Sequence, residues 1–510
     1  MRARGLVLAV ALLAAACGGG GGGNGDGGTG GTGGAGDAAP PSPGHLRVAV
    51  GEDIWPLTGR GPTAKHFAAG ELKVNVFEPL VALGPDYTVR PGLAERWELV
   101  GPTTWRFHLR AGVTFHDGRP FGADDVVWSW SRELLPRAVT RSLSSVTKVD
   151  DRTVDFNLSA PNRRLPEQLV HPEGPIVPRD GHNDSTPPVG TGPYQVVEYV
   201  PRQRVVVERF DGYWGPKATV RRLTFLFTPE PAERVEALRK GEVDVATNVS
   251  RETVTALQAD RALRVVKAPP GATQQLSFNA ASQPPFEVTG DRSVRRAVAL
   301  ALDRAAYVSE VLDGNGEPGR WQSPPLVLGA AAALVAPPVH DPGQARAVLE
   351  EAGWQPGSDG IRTKSGRRLT LTLVGGPNVP ETGLRFVQAK LAAVGIEVAV
   401  KKASDTVTYE QFRDRGYDLD LTMPNQNDAN PAFLQSRAAG PQVDAVFTAE
   451  SREAVQRLAA EITQTNVNQE FSVVPLASVA RVYAMRAGVD LRDPHPSAIN
   501  QSWTGLAAGP

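Results

Sequence analysis

Leu109-Arg110-Ala111-Gly112-Val113-Thr114-Phe115-His116-Asp117-Gly118, followed by Ala123-Asp124-Asp125-Val126, is the stretch from which the fold is read. Trp105, Phe107 and Leu109 alternate ahead of it, after a Gly101-Pro102 turn, so the stretch leaves a strand. Phe115 to Gly118 reads as a structural turn: Gly lets the chain reverse, and Asp and His side chains can bond the local backbone. Asp124 and Asp125 open the helix carrying Val126, Val127 and Trp130, where capping and the helix dipole account for two acids better than acid–base chemistry does.

Outward from there, Val154, Phe156 and Leu158 alternate after Asp150-Asp151. Tyr194 to Val200 and Arg204 to Arg209 flank Pro201-Arg202-Gln203, a hairpin signal. Residues 80–210 are therefore expected to be rich in antiparallel pairs. Leu46 to Val50 reads as a first strand. Beyond 210 the pattern changes. Helix Glu230–Lys240, Gly241 and strand Val243–Ala246 form one helix–Gly–strand unit, and Leu384–Val394, Gly395 and Ile396–Val400 form another. Gly at a helix end takes positive φ without a Cβ clash. Such units imply α/β layers with parallel pairing. Asp341-Pro342 reads as an N-cap with Pro at the first helical position, ending at Gly353. Val294, Ala297, Val298, Ala301, Ala305, Val308 and Leu312 fall at helical spacing and are expected to form one buried stripe. No internal repeat is visible. The fold class is α/β with antiparallel additions.

The composition excludes several functions. The 510 residues carry 54 basic and 55 acidic side chains, without the basic excess of a nucleic-acid binder. At 41% hydrophobic, and with no run of 18 apolar residues, the body has no span of its own. The single cysteine, Cys17, rules out a disulfide framework within the chain, a CxxC pair and a Cys-cluster zinc site. No two of the eight histidines stand three or four residues apart, so no helix carries a His pair for a metal. His-Glu-x-x-His, Gly-x-Ser-x-Gly and Walker motifs are absent. A Ser-His-Asp triad assembled by folding stays open. No cofactor or metal is expected.

Arg2 and Arg4 followed by the apolar run Leu6 to Ala16 make a secretory signal too short to span a bilayer. Ala14-Ala15-Ala16-Cys17 resembles a bacterial lipobox, with Ala14 where that pattern prefers Leu; the resemblance implies that Cys17 is diacylated and becomes the new N-terminus. The alternative is a plain signal cleaved near Ala16. Gly18 to Gly36 has 14 Gly in 19 residues and no Lys, so it is a tether rather than a phosphate loop. From Cys17 to Pro43 it would reach about 25–30 Å. The expected product is a soluble body leashed to the outer face of the cell membrane.

Several segments together resemble the bacterial extracellular solute-binding proteins of the oligopeptide, dipeptide and nickel class, family 5. Asn75-Val76-Phe77-Glu78-Pro79-Leu80 resembles its "YE-x-L", and Pro91-Gly92-Leu93-Ala94-Glu95-Arg96-Trp97 its "P-x-LA-x-x-W". Leu109 to Val126 resembles "LR-x-G-x-x-FHDG…A-x-DV", and Gly190-Thr191-Gly192-Pro193-Tyr194 resembles "GTGPY". Phe278-Asn279, Pro284-Pro285-Phe286, Val294-Arg295-Arg296-Ala297 and Asp303-Arg304 resemble "FN…PPF…VR-x-A…DR". The order of these segments, over about 400 residues, is more specific than any one of them.

The resemblance implies a bilobal periplasmic-binding-protein-like fold with two hinged α/β lobes. After a signal (1–16) and a tether (17–43), the first lobe would comprise 44–80, 186–273 and 479–510. An extra domain would occupy 81–185, and the second lobe 274–478. It also implies an ABC importer's receptor, a monomer that traps a peptide or related solute and delivers it unaltered to a permease and ATPase complex. A pocket in such a cleft needs aromatic walls and a few aimed polar groups, which makes Asp53 and Trp55 after the first strand, Asn279 at the lobe crossover and Trp321 after a Gly-rich loop the ligand-binding candidates, with packing and crossover roles as the alternatives.

Tyr417 to Pro431 resembles "YD-x-x-L-x-x-W-x-x-D-x-x-DP", whose Asp after Trp pairs with a peptide ammonium in peptide-binding members. Here Pro424 replaces the Trp, Asn427 that Asp and Asn430 the later Asp; Asp428 keeps a charge one position along. Charged hydrogen bonds are roughly twice as strong as neutral ones. Asn425, Gln426 and Asn427 therefore suit a neutral, hydroxyl- or amide-rich ligand better, unless Asp428 swings in. Two other readings stay open: a scaffold or regulator that keeps the fold without transport, and a secreted hydrolase. A nickel-chelate receptor shares the fold, but the scattered histidines give it no positive support.

Overall fold

The computed structural model describes residues 44–51, 67–130, 142–170, 176–179, 188–250, 253–279, 287–376, 379–404, 406–414, 416–423, 440–497 and 501–508. Its organising feature is a pair of long antiparallel strands, Leu263–Phe278 and Val473–Arg486. Their Leu263/Arg486 end joins the first-lobe sheet. Val473–Arg486 is followed outward by Val245–Ala246, His45–Val50, Arg222–Phe227, Arg204–Arg209 and Tyr194–Val200. Their other end joins the second-lobe sheet, where Leu263–Phe278 is followed by Leu419–Thr422, Thr370–Gly375 and Glu397–Lys402. Between the lobes the pairing is irregular, with register shifts at Lys267/Pro270, Pro270/Ala272 and Gln274/Gln275. Pro269-Pro270 supplies no N–H to a ladder, so it belongs where pairing lapses.

The expected parallel pairing is present. His45–Val50 runs parallel to Arg222–Phe227 and to Val245–Ala246, and Thr370–Gly375 runs parallel to both its neighbours. Sheets of this kind are covered on both faces. On one face of the first sheet, Leu46, Val48, Tyr483 and Met485 pack with Leu72, Phe77 and Trp503. On the other, Ala49, Ala246, Val482 and Ala484 pack with Val235 and Leu238. The second lobe has its own core, in which Leu371, Leu373, Leu419 and Leu421 meet Val294, Val298, Leu384 and Leu391. A four-stranded antiparallel sheet, Ala94–Gly101, Thr104–Leu109, Thr153–Leu158 and Leu143–Asp150, packs Phe107 and Phe156 against helix Ala123–Trp130. Val327, far along the chain, joins that core.

Two expectations need correction. The 294–312 stripe is two helices, Arg292–Ala301 and Arg304–Val311. Leu302 is extended, and the Asp303 carboxylate accepts the Ala306 N–H as a new cap. The turn between them leaves Ala305 exposed and buries Tyr307 instead. The strand at 243–246 is laddered only at Val245 and Ala246. Val243 N–H bonds instead to Ala237 O of the preceding helix, while Asp244 keeps main-chain bonds to both neighbours and its carboxylate accepts from the Arg47 backbone N–H (2.8 Å) and guanidinium (3.0 Å). By contrast, Gly241 and Gly395 do take positive φ (69° and 86°), and Asp341 caps its helix by accepting from Gln344 N–H.

The family-like motifs meet one another. Phe115 to Gly118 is a turn, closed by Gly118 N–H to Phe115 O (2.9 Å) with Gly118 at φ 84°. His116 leaves that turn for the Gly190-Thr191-Gly192 segment. Its Nδ1 accepts the Gly190 N–H (3.2 Å) and its Nε2 donates to Gly192 O (3.0 Å). A Cβ on Gly192 would stand 2.5 Å from Asn75 O, so only glycine fits. Asn75 donates to Gln501 O (2.9 Å) and accepts Trp503 N–H (2.8 Å), fastening the chain's last segment to the lobe. Glu78 accepts from Tyr213 Oη (2.9 Å) and Trp214 Nε1 (2.8 Å), and Arg110 stacks on the Trp214 ring. Asp125, at the opening of its helix, accepts from Gly122 N–H and Arg179 N–H.

Burial pushes the His116 imidazole down to about 4, and burial pushes the Glu78 carboxyl up to about 7. The two act in opposite directions. His116 contributes stability that is complete above pH 6.5 and is lost as pH falls through about 4, worth about 3 kcal/mol in all. Glu78 contributes stability that is complete below its ordinary value and is lost as pH rises through about 7. In urea unfolding from pH 7 to 4, the stability advantage of wild type over His116→Gln is expected to shrink as pH falls. The advantage over Glu78→Gln is expected to shrink as pH rises.

Candidate functional site

In open α/β sheets, ligands bind outside the carboxyl ends of the strands. Here two such edges flank the long-strand crossing. The first-lobe edge is the end of His45–Val50, Arg222–Phe227 and Val245–Ala246, and Arg234 organises it. Its Nε donates to Thr247 O (3.0 Å), Nη1 to Thr228 O and Pro229 O (both 2.7 Å), and Nη2 to Asn248 O (3.0 Å). One buried guanidinium thus ties the carbonyls after two parallel strands together. It also crowds the exit of the third: a Cβ on Gly51 would lie 2.9 Å from Arg234 Nη1. Sequence reasoning missed this residue. The signal was available, because Arg234 lies in the first turns of helix Pro231–Arg239, where the helix dipole disfavours a cation.

The second-lobe edge is the end of Thr370–Gly375, Glu397–Lys402 and Leu419–Thr422. Lys402 Nζ donates to Gly376 O (2.7 Å). Burial holds its ammonium below the usual lysine range, while Glu381 and the first-lobe Glu230 pull the other way. Tyr409 Oη donates to both oxygens of Asp420 (2.8 Å each), and burial pushes that carboxyl up to about 6 despite Tyr409 and Arg413. Asp418 accepts the Thr372 N–H (2.8 Å), and its carbonyl accepts the Asn279 N–H (3.0 Å).

Asn279 therefore sits at the crossover, its backbone spent on Asp418 and, through its carbonyl, on Thr289 Oγ1 (2.7 Å). Half-buried Trp321 donates Nε1 to Ala332 O (2.9 Å) and packs on the small cluster of Leu328, Val455 and Ile462. Cys17, Asp53, Trp55, Asn425, Asn427 and Asp428 lie outside the described residues. Among the described residues no group of three or more His, Cys, Asp or Glu could hold a metal, and no helix is long and apolar enough to cross a membrane. His116 and His495 are structural: His495 Nδ1 accepts Ser497 N–H (2.9 Å) and Nε2 donates to Leu83 O (3.2 Å).

Residues 88–443 match the sequence model described as bacterial extracellular solute-binding proteins, family 5 Middle. The chain belongs to this family. The dipeptide-binding protein of Escherichia coli (strain K12) is 31% identical over 304 residues, covering 53% of this chain and 56% of that relative. The chain thus spans little more than half of that relative's length. Among solved structures, NikA from Brucella suis, in complex with Fe(III)-EDTA, superposes with a TM-score of 0.80 at 25% identity, covering 91% of this chain and 99% of NikA. The oligopeptide-binding protein AppA from Bacillus subtilis, in complex with a nonapeptide, gives 0.78 at 21% identity, covering 92% and 100%. These likenesses establish the bilobal α/β architecture of a family 5 binding protein.

Replacing Arg234 by Met keeps the stem and leaves four carbonyls without their donor. Unfolding free energy is expected to fall by about 2–4 kcal/mol, measured by urea titration, whereas Arg239→Met on the same helix should change little.

Proposed function

We propose that this family 5 chain is the extracytoplasmic receptor of an ABC importer. It closes two lobes on a small peptide or related neutral solute and presents it, chemically unaltered, to a permease and ATPase complex. The observation that carries this reading is the pair of facing strand edges joined through two long strands whose pairing lapses between the lobes. Irregular pairing there lets the lobes rotate as bodies, and closure is favoured only as far as the solute binds the closed form better. The reading assigns 44–80, 186–273 and 479–510 to the first lobe, 81–185 to an extra domain and 274–478 to the second lobe. It assigns no bond-making step to the chain. Asp53, Trp55, Asn279, Trp321, Asn425, Asn427 and Asp428 are its sequence-derived ligand candidates. The chain acts as a monomer, leashed through a diacylated Cys17 and the Gly18–Gly36 tether.

A scaffold that has lost transport is the second reading, favoured by Pro424 and Asn427 where peptide-binding members carry Trp and Asp. Thermal melting with di-, tri- and tetra-alanine and with nickel–histidine separates the two. A receptor gains about 2.7 kcal/mol at a hundredfold excess over Kd. A peptide-dependent rise in Tm is expected; no shift with any member of the panel would favour the scaffold. For the anchor, Cys17→Ala is expected to move the protein from the membrane fraction into the medium, read by fractionation of the native host. Retention in the membrane would contradict lipidation.

A further inference from the structure

The domain built on the four-stranded sheet takes part of its core from elsewhere in the chain. Val327, from the short helix Pro325–Leu328, is 5% exposed and sits in the cluster that holds Phe107, Phe156 and Trp130. Leu326 packs on the same cluster. Polar ties accompany this plug. Arg163 N–H donates to Phe447 O (2.7 Å), Arg164 Nη2 to Ala449 O (3.1 Å) and Arg452 Nη2 to Asp86 O (3.3 Å). Phe447 O belongs to the last turn of helix Gly440–Thr448, where carbonyls have no partner within a helix. That helix end is thus capped from another domain, and a guanidinium suits the negative end of its dipole. Arg164 is held ready by its own domain: Asn162 Oδ1 accepts its N–H (2.8 Å), and its Nη1 donates to Glu167 (2.8 Å).

The two sides of this contact belong to different lobes in the assignment above. The extra domain is fixed to the first lobe: His116 bonds to Gly190 and Gly192, Arg110 stacks on Trp214, and His495 donates to Leu83 O. On the other side, helices Pro325–Leu328, Gly440–Thr448 and Arg452–Gln464 share the small core of Leu328, Val446, Val455 and Ile462. This helical unit is fixed to the second lobe on both flanks. Ahead of it, Glu317–Pro318 ladders onto Ala477 and Ser478, and Gly319 N–H donates to Leu476 O (2.9 Å). After it, Gln469 O accepts from Arg292 Nε (2.7 Å) and Glu470 O from Arg295 Nε (3.1 Å). Rotation of one lobe against the other about the long strands therefore pulls at the contact between the helical unit and the extra domain.

We propose that this contact is a latch between the lobes, with Val327 as its plug and Arg163-Arg164 as its catch. The proposal rests on the lobe assignment of the receptor reading and gives the extra domain a part in it. Buried apolar area supplies the hold. The cap supplies the register, since the Phe447 and Ala449 carbonyls meet their donors only while the two sides are aligned. The exposed Arg163–Glu450 pair, 3.5 Å apart, adds little. The contact comprises a few side chains rather than a whole core, which suits a joint that opens and re-forms. Release precedes any solute exchange that needs the lobes apart, so the latch sets the fraction of protein competent to exchange.

The test is hydrogen exchange of the full chain without solute, read by mass spectrometry with fragmentation fine enough to isolate the Arg163 and Gly319 amides. The Arg163 amide follows release directly, because its acceptor, Phe447 O, lies across the contact. Wild type is compared with Val327→Ala, which trims the plug, and with Arg452→Met, which removes an exposed tie and touches no core. Val327→Ala is expected to speed Arg163 exchange on the order of tenfold, and Arg452→Met by a smaller factor. Gly319 and the first-lobe strands should exchange as in wild type. Unchanged Arg163 exchange in both variants would overturn the latch. So would a matching rise at Gly319, since the helical unit would then be leaving the second lobe instead of the lobes parting. If Val327→Ala loosens the whole four-stranded sheet, Arg452→Met decides alone: faster Arg163 exchange supports the latch, and no change sinks it. No solute enters the measurement, so failure of the latch leaves the receptor reading standing, and a melting panel without any shift leaves the latch standing.

Discussion

Everything in this molecule hangs on the antiparallel pairing of Leu263–Phe278 with Val473–Arg486. Each strand is a ladder partner in both lobes, so neither sheet is complete without them. Had their hydrogen bonds run unbroken, the lobes would form one rigid slab. Had the strands parted altogether, each sheet would expose an edge. Pro269-Pro270-Gly271 gives an intermediate arrangement, paired at both ends and irregular at the centre. Gly271 also admits the chain's return: a Cβ there would stand 2.2 Å from Pro496 O.

Around this pair, the lobe edges are fixed by buried polar groups that bond to main chain rather than to each other. Arg234 donates to four main-chain carbonyls. His116 accepts one N–H and donates to one carbonyl, which demands a neutral ring. Backbone partners are fixed by the fold, so such clamps hold the loops they bond in place. The clamps leave the crossing alone, and there Gln274 remains unsatisfied.

Much of this was legible in the residues. Alternation at Trp105 to Leu109 and Val154 to Leu158 gave the antiparallel sheet, and Gly241 and Gly395 marked helix ends because only their φ values suit. The turn at Phe115 to Gly118 was readable as structure rather than site. Its partner was not: His116 and Gly190 are 74 residues apart, and periodicity carries no information about such pairings. The apolar stripe at 294–312 was misread because spacing alone cannot see that Asp303 would rather cap than continue. The crossing itself carried a signal that went unused, a Thr-Gln-Gln run just after Pro-Pro-Gly-Ala. The candidates at 53–55 rest on their place after the first strand and those at 425–428 on resemblance, since neither stretch carries a periodic pattern to read.

The fastening of Asn75 to Gln501 and Trp503 bears on how the chain acquires its shape. The first-lobe core combines Leu46 and Leu72 from near the beginning, Tyr194 and Phe225 from the middle, and Trp503 and Leu506 from the last few residues. A growing polypeptide cannot seal that core until the segment around Trp503 has been made, and contacts of such sequence separation form slowly. Loss of residues 501–510 would strip out the largest of its fully buried side chains and remove two hydrogen-bond partners of Asn75. The tail is in this sense the keystone of a lobe that the first strand only begins.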